Sequence, residues 1–417
     1  MKILMVTADH LMIDRRILQE AATLIAQGHA VTLLAGFECP KTESYVQDGI
    51  HIERFAYDWS HSPFAPIARR LRLRPGGRGE RLAARAWRWV SSRVLDMSSF
   101  DHFVLSKLLL HTADVMHVHD FPMLRAGVEF ARLRKVPLIY DAHELYYAQV
   151  QLPLATQRRY KAAEKRWMRH ADRSITVNPY IARLMAERYG VPEPAVILNA
   201  APLRSKAQVH PLRERFGLGA DTRIVLYQGW ISDNRGIDKL VLGARDFAPG
   251  TVLVLVGYGA YLDTLQALVA EHGLNGRVFF YGGVDSDQMH PITCDADLGV
   301  IPYFGVDDNN YYCSPNKLFE FAIAELPFLC NDLPFLRDIA QRFGNGVTAD
   351  LTDPARVAAA VNRVLGDPQA VARLRAAALA AKQELNWEVE SRKLLDIYAS
   401  LGLPVLANTP AQETAGP

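Results

Sequence analysis

The chain has 417 residues, 49% hydrophobic and 22% charged, with a net charge of +2. That length exceeds one ordinary core and implies two domains of about 150–200 residues each. The composition excludes a disordered or membrane-embedded protein, and a charge so near zero is by itself no argument for a polyanionic partner.

The opening MKILMVTADH has too short an apolar run for a signal peptide. No stretch reaches the roughly 18 apolar residues of a membrane span. Cys39, Cys294, Cys313 and Cys330 are scattered without CxxC spacing, which indicates neither a zinc site nor a disulfide framework. A cytoplasmic protein, at most peripheral at the inner face of a membrane, is expected.

Short apolar runs alternate with helical patterns throughout, as in parallel βαβ units. Strands are expected near Lys2–Ala8, Ala30–Gly36, Ile50–Phe55, Val115–His119, Leu138–Asp141, Ser174–Val177 and Val196–Asn199, and again near Arg223–Gly229, Thr251–Gly257, Arg277–Gly282, Leu298–Pro302 and Phe328–Asn331. Many are apolar at consecutive positions, as when helices cover both sheet faces. The expected class is α/β: two doubly wound, Rossmann-like domains facing each other across a cleft. The first spans 1–200 and the second 223–385, joined by a connection at 201–222 that has no strand pattern. Residues 386–402 read as a helix that returns to the first domain, and 403–417 as a disordered tail.

Along the first half, Ile13–Asp14–Arg15–Arg16 opens a helix, where Arg15 or Arg16 could reach a phosphate across the cleft. Arg69–Arg93 holds nine arginines, one acidic residue and Trp87 and Trp89. Such a mixture suits an anionic membrane or lipid-linked acceptor; a nucleic-acid patch or a solvated basic hairpin has the same chemistry. In VMHVHDF, His117 and His119 share one strand face with Asp120 opposite. His119 ends the strand, where open α/β folds place ligands. A two-histidine metal site there lacks a clear third ligand. YDAHELY clusters Asp141, His143 and Glu144 at the next strand end, lining the cleft or meeting an acceptor.

In the second half, YQGWISDNRGIDKL reads as strand, glycine turn and helix. Gly229 permits close backbone approach, and Arg235 stands ready for phosphate oxygens. VGYGAY, with Gly257, is a weaker glycine turn. The DAD at Asp295–Asp297 looks like a metal-binding DxD but precedes a strand as a helix cap, and that reading is rejected.

The decisive stretch is YYCSPNKLFEFAIAELPFLCND. Ser314 is a good N-cap and Pro315 suits the first helical position, so a helix is expected from Asn316 to about Glu325. Its N-terminus suits a phosphate, and Lys317 adds a full charge there. Glu320, on the same face, can accept hydrogen bonds from a ribose diol. The plain alternative is an exposed i,i+3 pair.

This segment resembles the donor-binding motif of family-4 retaining glycosyltransferases (glycosyl transferases group 1), and the resemblance covers nearly the whole chain. It implies the two-domain GT-B fold and a hexosyl donor linked to UDP or GDP, with Glu320 on its ribose. It also implies the helix start Ser314, Pro315, Asn316, Lys317 and Leu318 on its diphosphate, Arg235 beside them, His119 on the donor sugar, and the backbone of Tyr281, Gly282 and Gly283 against the base. The family needs no metal or cofactor. Three departures stand out: Tyr312 replaces a glutamate that contacts the transferred sugar, Trp230 replaces an arginine, and Ile13–Arg16 replaces a glycine pair. Asp307, Asp308, Asn309 and Asn310 become the candidates to replace the lost contact. The implied activity is retaining transfer to a glycan or lipid-linked acceptor in bacterial-type surface polysaccharide synthesis, without nucleic acid. The alternatives are a nucleotide-sugar 2-epimerase of the same fold, a non-catalytic sugar-nucleotide binder, or a nucleic-acid-binding protein built on the arginine-rich sector.

Overall fold

The computed structural model describes residues 1–9, 12–56, 96–149 and 151–402, together with 77, 79, 82, 85 and 86. The Arg69–Arg93 sector lies almost wholly outside the described residues, and the tail 403–417 lies outside them entirely.

The first half contributes β1 (Lys2–Thr7), β2 (Ala30–Ala35), β3 (Glu43–Gln47), β4 (Ile50–Arg54), β5 (Val115–His119), β6 (Leu138–Ala142), β7 (Arg173–Thr176) and β8 (Ala195–Val196). They form one sheet in the order β3-β4-β2-β1-β5-β6-β7-β8, parallel except for the β3–β4 pair. The second half contributes β9 (Arg223–Gln228), β10 (Thr251–Val256), β11 (Val278–Gly282), β12 (Leu298–Ile301), β13 (Phe328–Cys330) and β14 (Gly346–Thr348). These form an all-parallel sheet in the order β11-β10-β9-β12-β13-β14.

Their apolar runs are buried from end to end because helices cover both faces. Strand order reverses between β1 and β5 in one sheet and between β9 and β12 in the other. Ligands of such sheets bind outside the carboxyl ends of the strands at these switch points. The described residues there are Ala8, Asp9 and 12–15 with Asp120 in the first domain, and Gly229 and Pro302 in the second.

The helix Trp387–Ala399 returns to the first domain. Its Trp387, Leu394, Ile397 and Tyr398 join Ile3, Met5, Ile17, Ala21 and Leu24 in one core. Each fully buried side chain of this size contributes about 1.5–3 kcal/mol. Polar contacts fix the register: Trp387 Nε1 donates to Thr23 Oγ1 at 3.0 Å, and the Leu198 amide donates to Glu390 at 2.9 Å.

Four elements differ from expectation. β8 is only Ala195–Val196, not Val196–Asn199. β3 and β14 were not expected: β3 is a largely exposed edge strand of mixed polarity, and β14 is three half-buried residues. The connection carries a short helix, Pro211–Phe216, whose Leu212 is buried in the second core. Among the described residues no helix is long and apolar enough to cross a membrane.

Candidate active site

The second domain brings glycine turns, two cations and a helix start to the carboxyl ends of its strands. Gly229 and Gly257 follow β9 and β10 directly and Gly282 ends β11, and backbone bonds tie these strand ends together: Gly229 N to Val256 O and Gly257 N to Gly282 O, each 2.9 Å. Gly257 has φ 147°, and a Cβ on it would lie 1.9 Å from the Gly229 carbonyl oxygen, so only glycine fits. Against this floor lies Lys317. It is 5% exposed, and its Nζ makes no hydrogen bond. The ammonium stands 3.6 Å from the centre of the Tyr227 ring and 4.9 Å from that of Tyr303. A Cβ on Gly229 would lie 3.6 Å from it.

Arg235 hydrogen-bonds the Tyr303 hydroxyl and lies over that ring at 4.5 Å. Burial, and then the Arg235 charge, hold Lys317 well below the ordinary lysine range. Two cations, one of them unpartnered, therefore converge on the start of helix Asn316–Ile323. That helix opens at Asn316, as expected, but the residue before it, not Ser314, is its cap. Pro315 takes ψ 137°, outside the helical region, and becomes the cap; the Ser314 hydroxyl is buried without a partner instead of capping. The Leu318 side chain is core, and its amide bonds the Pro315 carbonyl at 3.0 Å. The amides of Asn316 and Lys317 are thus the ones left for an anion.

Glu320 does not pair with Lys317. Its Oε1 accepts from Arg15 at 2.6 Å across the interdomain cleft, and its Oε2 accepts from Gln228 Nε2. Gln228 is itself anchored by the Thr293 hydroxyl at 2.8 Å. Arg15 reaches a carboxylate here, not a phosphate position. Gln228 escaped the sequence reading, although a polar residue closing the run IVLYQ is a usable signal.

Tyr281 packs its ring over Arg215, 4.3 Å from the guanidinium carbon, so only its backbone can face a base. Gly282 has open space around it, and Gly283 supports the Tyr258 ring. Asp295 and Asp297 are saturated by protein donors, the Leu212 and Arg213 amides on one and Ile224 and Arg375 on the other.

In the first domain, Arg16 is buried and cannot approach a phosphate. It forks onto Asp141 at 2.7 and 2.9 Å and bonds Glu20 at 2.9 Å. Burial opposes the Asp141 charge, but Arg16 and His143 hold its carboxyl well below the usual range. His117 and His119 are stacked and fully buried. Burial lowers both, and His119 presents no surface to the cleft. His143 stands in front of it, 3.2 Å from His119 Nδ1. Burial works against the His143 cation, but Asp120 and Asp141 raise its pKa to about 10. Asp120, at φ 62°, bends sharply after β5 and accepts the His143 amide at 2.9 Å; burial pushes its carboxyl up to about 7. That φ, with ψ 160°, is strained backbone for a non-glycine residue, and it falls at the switch point of the sheet.

The loop before Lys317 docks on the first domain. Asn309 donates to Glu144 at 2.7 Å and accepts from the Leu145 amide, while Asp308 pairs with Arg188. Asp307 caps its own short helix and holds Asn310. Tyr312 stacks on Tyr180, and its carbonyl accepts from Asn178 at 2.7 Å. Glu144, Asp308, Asn309 and Tyr312 are therefore interdomain contacts, which leaves none of them turned to a donor sugar.

Residues 13–200 match the family described as glycosyl transferase 4-like domain, and residues 210–381 match glycosyl transferases group 1. The chain is 26% identical to a D-inositol 3-phosphate glycosyltransferase of Xylanimonas cellulosilytica, over 69% of this chain and 72% of that one. It is 25% identical to a glycogen synthase of Mycobacterium tuberculosis, over 68% of each. Among solved structures, Anabaena HepE in complex with UDP and glucose superposes with a TM-score of 0.71 at 16% identity, covering 96% of this chain and 100% of that one. Sucrose-phosphate synthase from Thermosynechococcus elongatus gives 0.70 at 19% identity, covering 96% and 99%. With both halves matched and the fold shared along its length, the chain belongs to the family-4-type group 1 glycosyltransferases, enzymes of the two-domain GT-B fold.

Proposed function

We propose that the protein transfers a hexosyl group from a nucleoside-diphosphate sugar to a glycan or lipid-linked acceptor, with retention and without a divalent ion at the diphosphate. The carrying observation is the unpartnered, buried ammonium of Lys317 beside Gly229 and Arg235. A buried cation without a counterion is costly, and a diphosphate supplies the missing charge. Two such cations and a helix start do the work a metal does elsewhere, stabilising the leaving diphosphate. Glu320, already aimed by Gln228, then takes the ribose diol in place of Arg15. His119 supports this as a positioning residue behind His143, whose cation sits at the rim. The acceptor enters from the first domain, past Asp120 and Glu144. The likeness to a UDP-bound fold supports UDP as the first nucleotide to try. Synthesis of surface polysaccharide at the inner membrane face is the setting this chemistry suits.

The test is a melting screen with UDP, GDP and ADP against the nucleosides alone, followed by turnover. A nucleoside diphosphate should raise Tm, since ligand binding stabilises the folded state. Glu320→Ala and Lys317→Ala should each cut transfer by about 10²–10³. Equal shifts by nucleoside and diphosphate, with near-normal transfer in both variants, overturn the proposal. An epimerised donor in the absence of acceptor favours the 2-epimerase reading instead.

A further inference from the structure

Behind the cleft, the first domain holds a second constellation, of which the proposed transfer uses only His119, and that one indirectly. Glu20, on the helix Arg15–Ala26, faces His117 and His119 on β5 and Asp141 on β6, and all four are at most 1% exposed. One ligand atom from each lies within 4.8 Å of every other. Glu20 Oε2 and His117 Nε2, both without a hydrogen-bond partner, are 3.8 Å apart. Ligands about 2.0–2.2 Å from a tetrahedral ion stand roughly 3.3–3.6 Å from one another.

Three buried atoms of the cluster, Glu20 Oε2, His117 Nε2 and His119 Nε2, have no hydrogen-bond partner. Buried polar atoms are rarely left so, and here three lie in one cluster. The opposite atom of each side chain, by contrast, is held. His117 Nδ1 is 2.9 Å from the Tyr398 hydroxyl, Glu20 Oε1 accepts from Arg16 at 2.9 Å, and His119 Nδ1 is 3.2 Å from His143. Arg16 also grips Asp141. In Glu20, His117 and His119, one atom fixed and the other bare is how outer-shell contacts orient metal ligands; in Asp141 both oxygens are held by Arg16.

We propose that Glu20, His117, His119 and Asp141 bind one divalent first-row transition ion, with Zn²⁺ the best match to two imidazoles and two carboxylates. The ion is structural. It ties the first helix to β5 and β6 and, through His117 and Tyr398, to the returning helix Trp387–Ala399. Nothing in this depends on the donor reading, because the cluster is closed to the cleft.

The test uses the full chain, purified without chelator and freed of any affinity tag. Elemental analysis after equilibration with Zn²⁺ and gel filtration should give about one equivalent per chain. Replacement by Co²⁺ should give the intense visible bands of a four-coordinate site. A strong chelator should lower Tm by several degrees, reversed by Zn²⁺. Glu20→Gln and His117→Gln should lose the equivalent and the chelator response. The Co²⁺ spectrum of the unaltered protein keeps the idea testable if a variant fails to fold. Less than a tenth of an equivalent with no Co²⁺ bands, or an equivalent retained in both variants, overturns the proposal.

Discussion

Replacing Lys317 with methionine separates function from stability at the centre of the site. The ammonium is 5% exposed, has no hydrogen bond and lies near a second cation, Arg235. An unsatisfied buried polar group costs about 1–3 kcal/mol, more if charged. Its contacts with the rings of Tyr227 and Tyr303 return roughly 0.5–2 kcal/mol. Methionine keeps the stem's packing and removes the desolvation cost, so Lys317→Met should melt no lower than the parent. Against a diphosphate the account reverses: one lost charge contact in a dry site costs about 2.7–4 kcal/mol, or 10²–10³ in turnover. Paired melting curves with and without UDP, and initial transfer rates, read both. A variant several degrees less stable that still shows the parental UDP shift and rate would refute the reasoning, because Lys317 would then be a packing residue.

Arg15 and Glu320 are each about one-fifth exposed, so their pair contributes at most about 1 kcal/mol. Arg15→Ala should leave Tm nearly unchanged and lower the donor KM by up to about fivefold, since Glu320 no longer has to be released; steady-state kinetics check this. Arg16→Met strands Asp141 and Glu20 in the core and should cost about 3–5 kcal/mol, read by urea unfolding. Burial holds Lys317 low in the free protein, so at pH values high enough to leave part of the protein with the neutral amine, diphosphate binding should take up a proton. The complex binds more protons than its parts, so donor affinity should fall as pH rises from the free lysine's pKa toward its ordinary value. Calorimetry in buffers of different ionisation enthalpy measures that uptake, and a buffer-independent heat would contradict it.

Both sheets were legible because consecutive apolar β-branched runs admit little else, and the SPNK segment announced its helix through proline and the residues around it. What escaped depends on partners distant in sequence. Arg16 looked like a phosphate ligand at a helix start, and only the fold shows Asp141, 125 positions away, taking its fork. Tyr312 and Asp308 sat beside the decisive helix in sequence, yet their contacts lie across the domain boundary. His117 and His119 gave two ligand-type side chains on one strand face; the carboxylate of Glu20 arrives from a helix about 100 residues earlier and has no local signal. β3 was missed because an exposed edge strand lacks the alternation that a half-buried one shows.

A crystal structure of the protein with UDP tests the central claim most directly. The account predicts the β-phosphate within hydrogen-bond reach, about 3 Å, of Lys317 Nζ and the Asn316–Lys317 amides, with the ribose on Glu320 and Arg15 displaced. A diphosphate bound elsewhere, with Lys317 still unpartnered against Tyr227, would contradict it.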